Sequence, residues 1–92
     1  MKYYVYILTN YTKTVLYIGF TGDLAERVMQ HKSGKIEGFT KKYNVNNLVY
    51  YEEFRDVNAA KARERAMKKW NRAWKEELIA GSNPEWNEVA VM

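Results

Sequence analysis

The first twenty residues constrain this chain most. Residues 2–9 and 14–20 are dense in β-branched and aromatic side chains and alternate in character with a period of two. Such runs predict strands. Asn10, Tyr11, Thr12 and Lys13 leave room for little more than a turn, so the two runs predict an antiparallel hairpin. Parity then sorts the side chains. Leu16, Ile18 and Phe20 share one face of the second run, and Val15, Tyr17 and Gly19 the other. On the first run Val5 and Ile7 share a face, with Tyr4 and Tyr6 opposite. If the aliphatic faces share a core, Tyr6 and Tyr17 meet on the reverse side, unless a bulge intervenes.

Downstream, Asp23 and Glu26 are spaced as a capping box, predicting a helix from Leu24 to Lys32 that ends near Ser33 and Gly34. Residues 34–47 read as a loop rich in Gly, Asn and Lys. Leu48 to Phe54 predict a third strand. Asp56 or Asn58 caps a long helix with an apolar stripe of Ala59, Ala62, Ala66, Met67, Trp70 and Trp74. Leu78 and Ile79 continue it to Gly81, and Asn83 before Pro84 has the pattern of a further cap. The expected fold is α/β of the α+β type. It has a small, three-stranded, mainly antiparallel sheet flanked by helices, in the order β-β-α-β-α with a C-terminal helical tail.

The chain has 92 residues and 47% apolar content, which suits one domain over residues 1–92. It has no cysteine, which excludes disulfides and thiolate zinc sites and fits a cytoplasmic protein. The apolar run Tyr3 to Leu8 is too short for a signal-peptide core or a membrane span. Net charge is +4, but its distribution says more. From Lys61 to Lys75 there are seven basic residues and one acid, Glu64. A looser cluster holds Lys32, Lys35, Lys41 and Lys42. Stripes of this kind suit a polyanion, and the plain alternative is a solvated helix face.

Five residues could act on a phosphodiester. Arg27 and His31 stand four apart on a helix, so they point the same way ~6 Å apart along the axis. Arg binds phosphate at any working pH, and His moves protons near neutrality. Tyr6 and Tyr17 are candidate proton acceptors only if a cation stabilises the phenolate. Gly19 would allow a phosphate or a backbone to come close. Glu64 would serve Mg²⁺, which takes one or two carboxylates and keeps waters. Each has an ordinary reading too: Tyr17 as a strand residue, Arg27 and His31 as exposed helix positions, Glu64 as an i,i+4 partner of Lys68. Asn83 reads first as a cap and second as a group orienting a catalytic side chain. Thr40, Lys41 and Lys42 are candidates for nucleic-acid backbone contacts, with Arg63 and Lys68 on the basic helix.

With these residues in view, the chain resembles the GIY-YIG nuclease superfamily. Tyr17-Ile18-Gly19 matches the second signature, and Val5-Tyr6-Ile7 stands where the first would be, with Val5 in place of its glycine. Thr21 to Leu24, Arg27, His31 and Glu64 follow in order and spacing. The likeness spans nearly the whole chain and is nearest to the short, stand-alone bacterial branch. Relatives include homing endonucleases, restriction enzymes and the incision subunit of nucleotide excision repair. The resemblance implies a one-metal endonuclease. Tyr17 would deprotonate the attacking water with support from His31, and Tyr6 would hydrogen-bond in the pocket. Arg27 would bind the scissile phosphate, and Glu64 would hold Mg²⁺ or Mn²⁺. Phe20 stands where some relatives carry Lys, and Asn83 lies farther from Glu64 than the functional Asn of several relatives. The expected substrate is DNA, with RNA as the alternative, selected by structure or damage rather than sequence. A protein partner would supply targeting. The competing reading is a nucleic-acid-binding module of the same fold without cleavage, and a weaker one is a basic helix docking an acidic protein.

Overall fold

The computed structural model describes residues 1–36 and 38–91. Strands β1 (Tyr3–Thr9), β2 (Leu16–Thr21) and β3 (Asn47–Phe54) form one antiparallel sheet in the order β2-β1-β3. The helices are α1 (Leu24–Lys32), the single turn α2 (Phe39–Lys42), α3 (Val57–Lys69) and α4 (Arg72–Ser82). The expected hairpin, α1 and β3 are all present. Asp23 caps α1 by accepting from the Glu26 amide at 3.1 Å.

Both faces of the sheet are covered. Val5, Ile7, Ile18 and Val49 pack with Ala60, Met67 and Ile79 of α3 and α4 on one face. Tyr6, Leu8 and Leu48 pack with Leu24 and Val28 of α1 and with Val45 on the other. The register carries one irregularity. Ile7 faces Tyr50 but Leu8 faces Leu48, so Val49 is an extra residue in β3. The hairpin itself is regular, pairing Tyr6 with Gly19 and Leu8 with Tyr17. The bulge therefore leaves the expected meeting of Tyr6 and Tyr17 intact.

Three expectations are corrected. The loop over 34–47 contains α2, while its position 37 lies outside the described residues. The long helix breaks at Trp70, whose backbone is extended, and α4 restarts under a cap in which Asn71 accepts from the Trp74 amide at 2.9 Å. The buried stripe of α3 is Ala60 and Met67, whereas Ala59, Ala62 and Ala66 are exposed. Arg63 and Glu64 take partly buried positions between Ala60 and Met67, so charged residues hide the true apolar phase.

Beyond α4 the chain turns at Pro84 and Glu85 and runs without a helix to residue 91. Asn83 does not cap a following helix. Its amide donates to the Val49 carbonyl at 3.0 Å and the Asn87 carbonyl at 2.7 Å, and its oxygen accepts from the Asn87 amide at 3.0 Å. That fixes the start of a strap over residues 84–91. The Val89 amide donates to the Leu48 carbonyl at 2.8 Å, Val89 and Val91 pack on the α1-side core, and Glu88 pairs with Lys32.

Candidate active site

Strand pairing places Tyr6 opposite Gly19, and the missing side chain there is what seats the Tyr6 ring. A Cβ on Gly19 would lie 2.3 Å from Tyr6 Cζ and 2.4 Å from its hydroxyl oxygen. The group that comes close to Gly19 is thus a tyrosine ring, rather than the phosphate or backbone expected from sequence. Tyr6, Tyr17 and His31 form a triangle of rings. The centroids are 6.4 Å apart for the tyrosines, 5.9 Å for Tyr6 and His31, and 5.6 Å for Tyr17 and His31.

His31 joins the triangle because it is the inward residue of the last turn of α1. The Tyr6 hydroxyl and His31 Nε2 are 3.1 Å apart, and His31 Nδ1 and Thr40 Oγ1 are 3.0 Å apart. A neutral imidazole donates from one nitrogen and accepts at the other. Both partners are hydroxyls, which can also do either. Either neutral tautomer therefore satisfies both bonds, with one ring nitrogen donating to its hydroxyl and the other accepting from its own. Thr40, set in α2, is 5% exposed and turned toward His31, not toward an incoming polyanion.

The electrostatics separate the roles. Tyr6 has no solvent exposure, and its pKa is pushed up to about 12. Burial is the main cause, followed by Tyr17; the Arg27 guanidinium pulls it down and the Glu64 carboxylate pushes it up. Both charges expected in the site thus act on the same phenol. His31 is held below its ordinary value by burial and then by Arg27, so it is neutral near pH 7. Tyr17 is only half-buried and is the tyrosine open to solvent. Burial thus favours the neutral phenol at Tyr6, which suits a hydrogen-bonding role.

Glu64 retains one-fifth of its side-chain exposure and pairs with Lys68 at 3.3 Å, so its i,i+4 partner is present. Among the described residues, no three His, Asp or Glu side chains are grouped to enclose a metal. A lone, half-buried carboxylate still matches the chemistry of Mg²⁺, which completes its shell with waters and phosphate oxygens.

The remaining sequence candidates divide. Lys42 is exposed on α2, with its ammonium 5.4 Å from the Tyr43 ring centre, and Lys41 is exposed beside it. Arg63, expected to contact nucleic acid, is already paired within the fold. Its guanidinium makes two 2.9 Å bonds to Glu52 and lies 5.0 Å from the Trp70 ring centre, so the structure commits it to holding α3 on the sheet. Asn83 is engaged in the strap, away from the ring triangle. Gly19 as a seat for Tyr6 and Thr40 as the second partner of His31 are what sequence reasoning missed. The pairing register carried the first; nothing local in the sequence carried the second.

Comparison with known proteins gives a family match over most of the chain and a fold match. Residues 2–77 match the GIY-YIG catalytic domain family. The chain is 37% identical to a UPF0213 protein of Natronomonas pharaonis over 85% of its own length and 91% of the relative's. It is 40% identical to a UPF0213 protein of Syntrophus aciditrophicus, covering 91% of this chain and 95% of that one. The solution NMR structure of a UPF0213 protein from Bacillus halodurans superposes with a TM-score of 0.61 at 30% identity, over 96% of this chain and 93% of the other.

Proposed function

This chain belongs to the GIY-YIG catalytic domain family, and from that premise we propose that it is a divalent-metal-dependent endonuclease of DNA that selects structure or damage rather than sequence. The observation that carries the reading is the ring triangle of Tyr6, Tyr17 and His31, with the Arg27 and Glu64 charges both felt at Tyr6. A target of limited sequence content follows from the small surface available for reading base edges.

In this reading Arg27 binds the scissile phosphate and stabilises the charge that develops on it. Tyr17, the solvent-open phenol, accepts a hydrogen bond from the attacking water and takes its proton while its own phenolic proton leaves to His31. His31, neutral at working pH, becomes the imidazolium and then releases that proton to solvent. Tyr6 orients the imidazole. Glu64 would hold Mg²⁺ or Mn²⁺, which supplies positive charge at the leaving oxygen. Lys41, Lys42 and Lys68 would contact phosphates outside the cleavage point. Residues 1–92 act as one domain of a cytoplasmic protein, which no helix long and apolar enough to cross a membrane contradicts among the described residues.

The test is a nuclease assay on flap, bubble, single-stranded and nicked DNA, with Mg²⁺, Mn²⁺ or chelator, comparing wild type with Glu64→Gln. Wild type should cut only with metal, and the variant should be slower by at least ~10³-fold while binding DNA normally. Salt-sensitive DNA binding with no cleavage by wild type on any substrate would move the protein to the binding-module reading. Equal cleavage by both proteins would remove Glu64 from the site.

A further inference from the structure

The short helix α2 has two sides of opposite character. Inward it offers Thr40, 5% exposed and bonded to His31. Outward lie Phe39 and the C-cap residue Tyr43, which are 49% and 45% exposed. These two are four residues apart, so they lie on one side of the turn. Their ring centroids are 4.9 Å apart with planes tilted by 51°. Half of each ring remains in water, so core packing does not account for the pair.

The setting argues for one kind of occupant. Lys42 places its ammonium near the Tyr43 ring, and Lys35 and Lys41 are exposed on the same segment. A wholly apolar protein surface would have to desolvate the Lys35 and Lys42 ammonium groups without return. A nucleic-acid strand matches both features, because its bases stack on aromatic faces while its phosphates meet lysines. The link to chemistry is short. The residue after Phe39 is Thr40, whose hydroxyl is 3.0 Å from His31.

We propose that Phe39 and Tyr43 form a stacking platform for an unpaired nucleobase next to the scissile phosphate, so that α2 selects nucleic acid with an unpaired stretch. The proposal rests on the nucleic-acid reading above. A base in a duplex has both faces covered by its neighbours and cannot use the platform. A base in a flap, bubble or single strand can.

The experiment measures binding in chelator, so that cleavage plays no part. Fluorescence anisotropy follows a labelled single-stranded 12-mer (about the ~4–16 nucleotides that small single-strand-binding domains cover), a duplex of that sequence, and a chain of abasic sites of equal length. Wild type, Phe39→Ala, Tyr43→Ala, Tyr43→Leu and Tyr43→Trp are compared, with circular dichroism to check folding. Wild type should bind the single strand more tightly than the abasic chain. Each alanine variant should lose ~5–100-fold on the single strand and little on the abasic chain. Tyr43→Leu keeps an apolar side chain without a π face and should lose affinity like alanine; Tyr43→Trp should retain it. That pair decides the matter even if an alanine variant fails to fold.

Equal binding of single-stranded and abasic chains by wild type would overturn the platform. So would Leu and Trp variants of equal affinity. A shift from dimer to monomer in Tyr43→Leu by sedimentation, with binding unchanged, would instead assign the patch to a second copy. Wild type that cleaves DNA but binds single strands no differently when Tyr43 is changed would sink the platform alone. Wild type that binds none of the three probes would sink the nucleic-acid reading with it.

Discussion

On the α3 side of the sheet, Glu52 meets the Arg63 guanidinium at 2.9 Å and the Tyr50 hydroxyl at 2.5 Å. On the α1 side, His31 meets two hydroxyls, from Tyr6 and Thr40. Both sets are partly or wholly buried and hydrogen-bonded, yet they differ in charge balance. In the first, a carboxylate and a guanidinium cancel. Burial alone would raise Glu52, but hydrogen bonds from Arg63 and Tyr50 outweigh it and leave the carboxyl below its ordinary value. In the second, the bonded groups are neutral, and Arg27 acts beside them on both His31 and Tyr6. A closed, neutralised set holds a helix in place. A set of neutral donors and acceptors next to a cation is suited to an anion and to moving protons. The two faces of the sheet thus differ in charge balance, although Glu64, the proposed metal holder, stands on α3.

The sharpest way to break that contrast is Gly19→Ala. The added methyl would overlap the Tyr6 ring, which must leave its seat. Displacement of this size should cost at least ~10²-fold in cleavage, with about 1–3 kcal/mol of stability lost by overpacking. Cleavage rate and urea unfolding measure the two. A folded Gly19→Ala protein that cuts like wild type would show that the ring triangle is not where the chemistry happens.

Arg63→Met should show the complement. It leaves Glu52 without its cation and should cost about 1–3 kcal/mol, less than a fully buried pair because one-third of the Arg63 side chain is exposed. Cleavage per folded molecule should stay within ~2-fold of wild type. Loss of cleavage at unchanged stability would return Arg63 to the nucleic-acid interface.

The smallest effect is in the pH dependence of stability. Tyr6 titrates near 10 unfolded and about 12 folded, so its contribution is complete below pH 10 and is lost as pH rises through about 12. Tyr6→Phe should flatten this alkaline slope. Tyr50 is also raised, by burial and then its Glu52 contact, so part of the slope will remain. His31 has the opposite sign: its contribution is complete above about pH 6.5 and falls as pH drops through its lowered folded value. Urea midpoints across pH 4–12 for wild type, Tyr6→Phe and His31→Gln check both signs. A Tyr6→Phe slope identical to wild type would mean the phenol is not buried as described.

Much of the reacting face was legible in the sequence, because strand parity and i,i+4 spacing are local rules. Parity put Tyr6 and Tyr17 together, and α1 has the bounds its caps predict. The holding face was harder to read. Hydrophobic periodicity follows apolar residues, but on α3 the sheet-facing positions include Arg63 and Glu64, so the alanines suggested the wrong phase. Asn71, one polar residue inside an apolar pattern, is a cap only because Trp70 turns the chain out of the helix. The extra residue Val49 is defined by its pairing with β1, the Asn83 bond to Val49 spans 34 residues and the Thr40–His31 contact spans 9, all beyond the reach of any local pattern. The site's residue types were visible, and the hydrogen bonds that join them were not.

The strap has a consequence for how copies of this protein coexist. β3 lies at one border of the sheet and is long enough to recruit a stranger's strand. The bond from Val89 to Leu48 occupies part of that border, and Asn83 fastens the strap's beginning. A segment with no regular secondary structure of its own thus works as a guard against edge-to-edge aggregation. Cutting the chain after Ser82 should bare that border and raise self-association, which sedimentation would read.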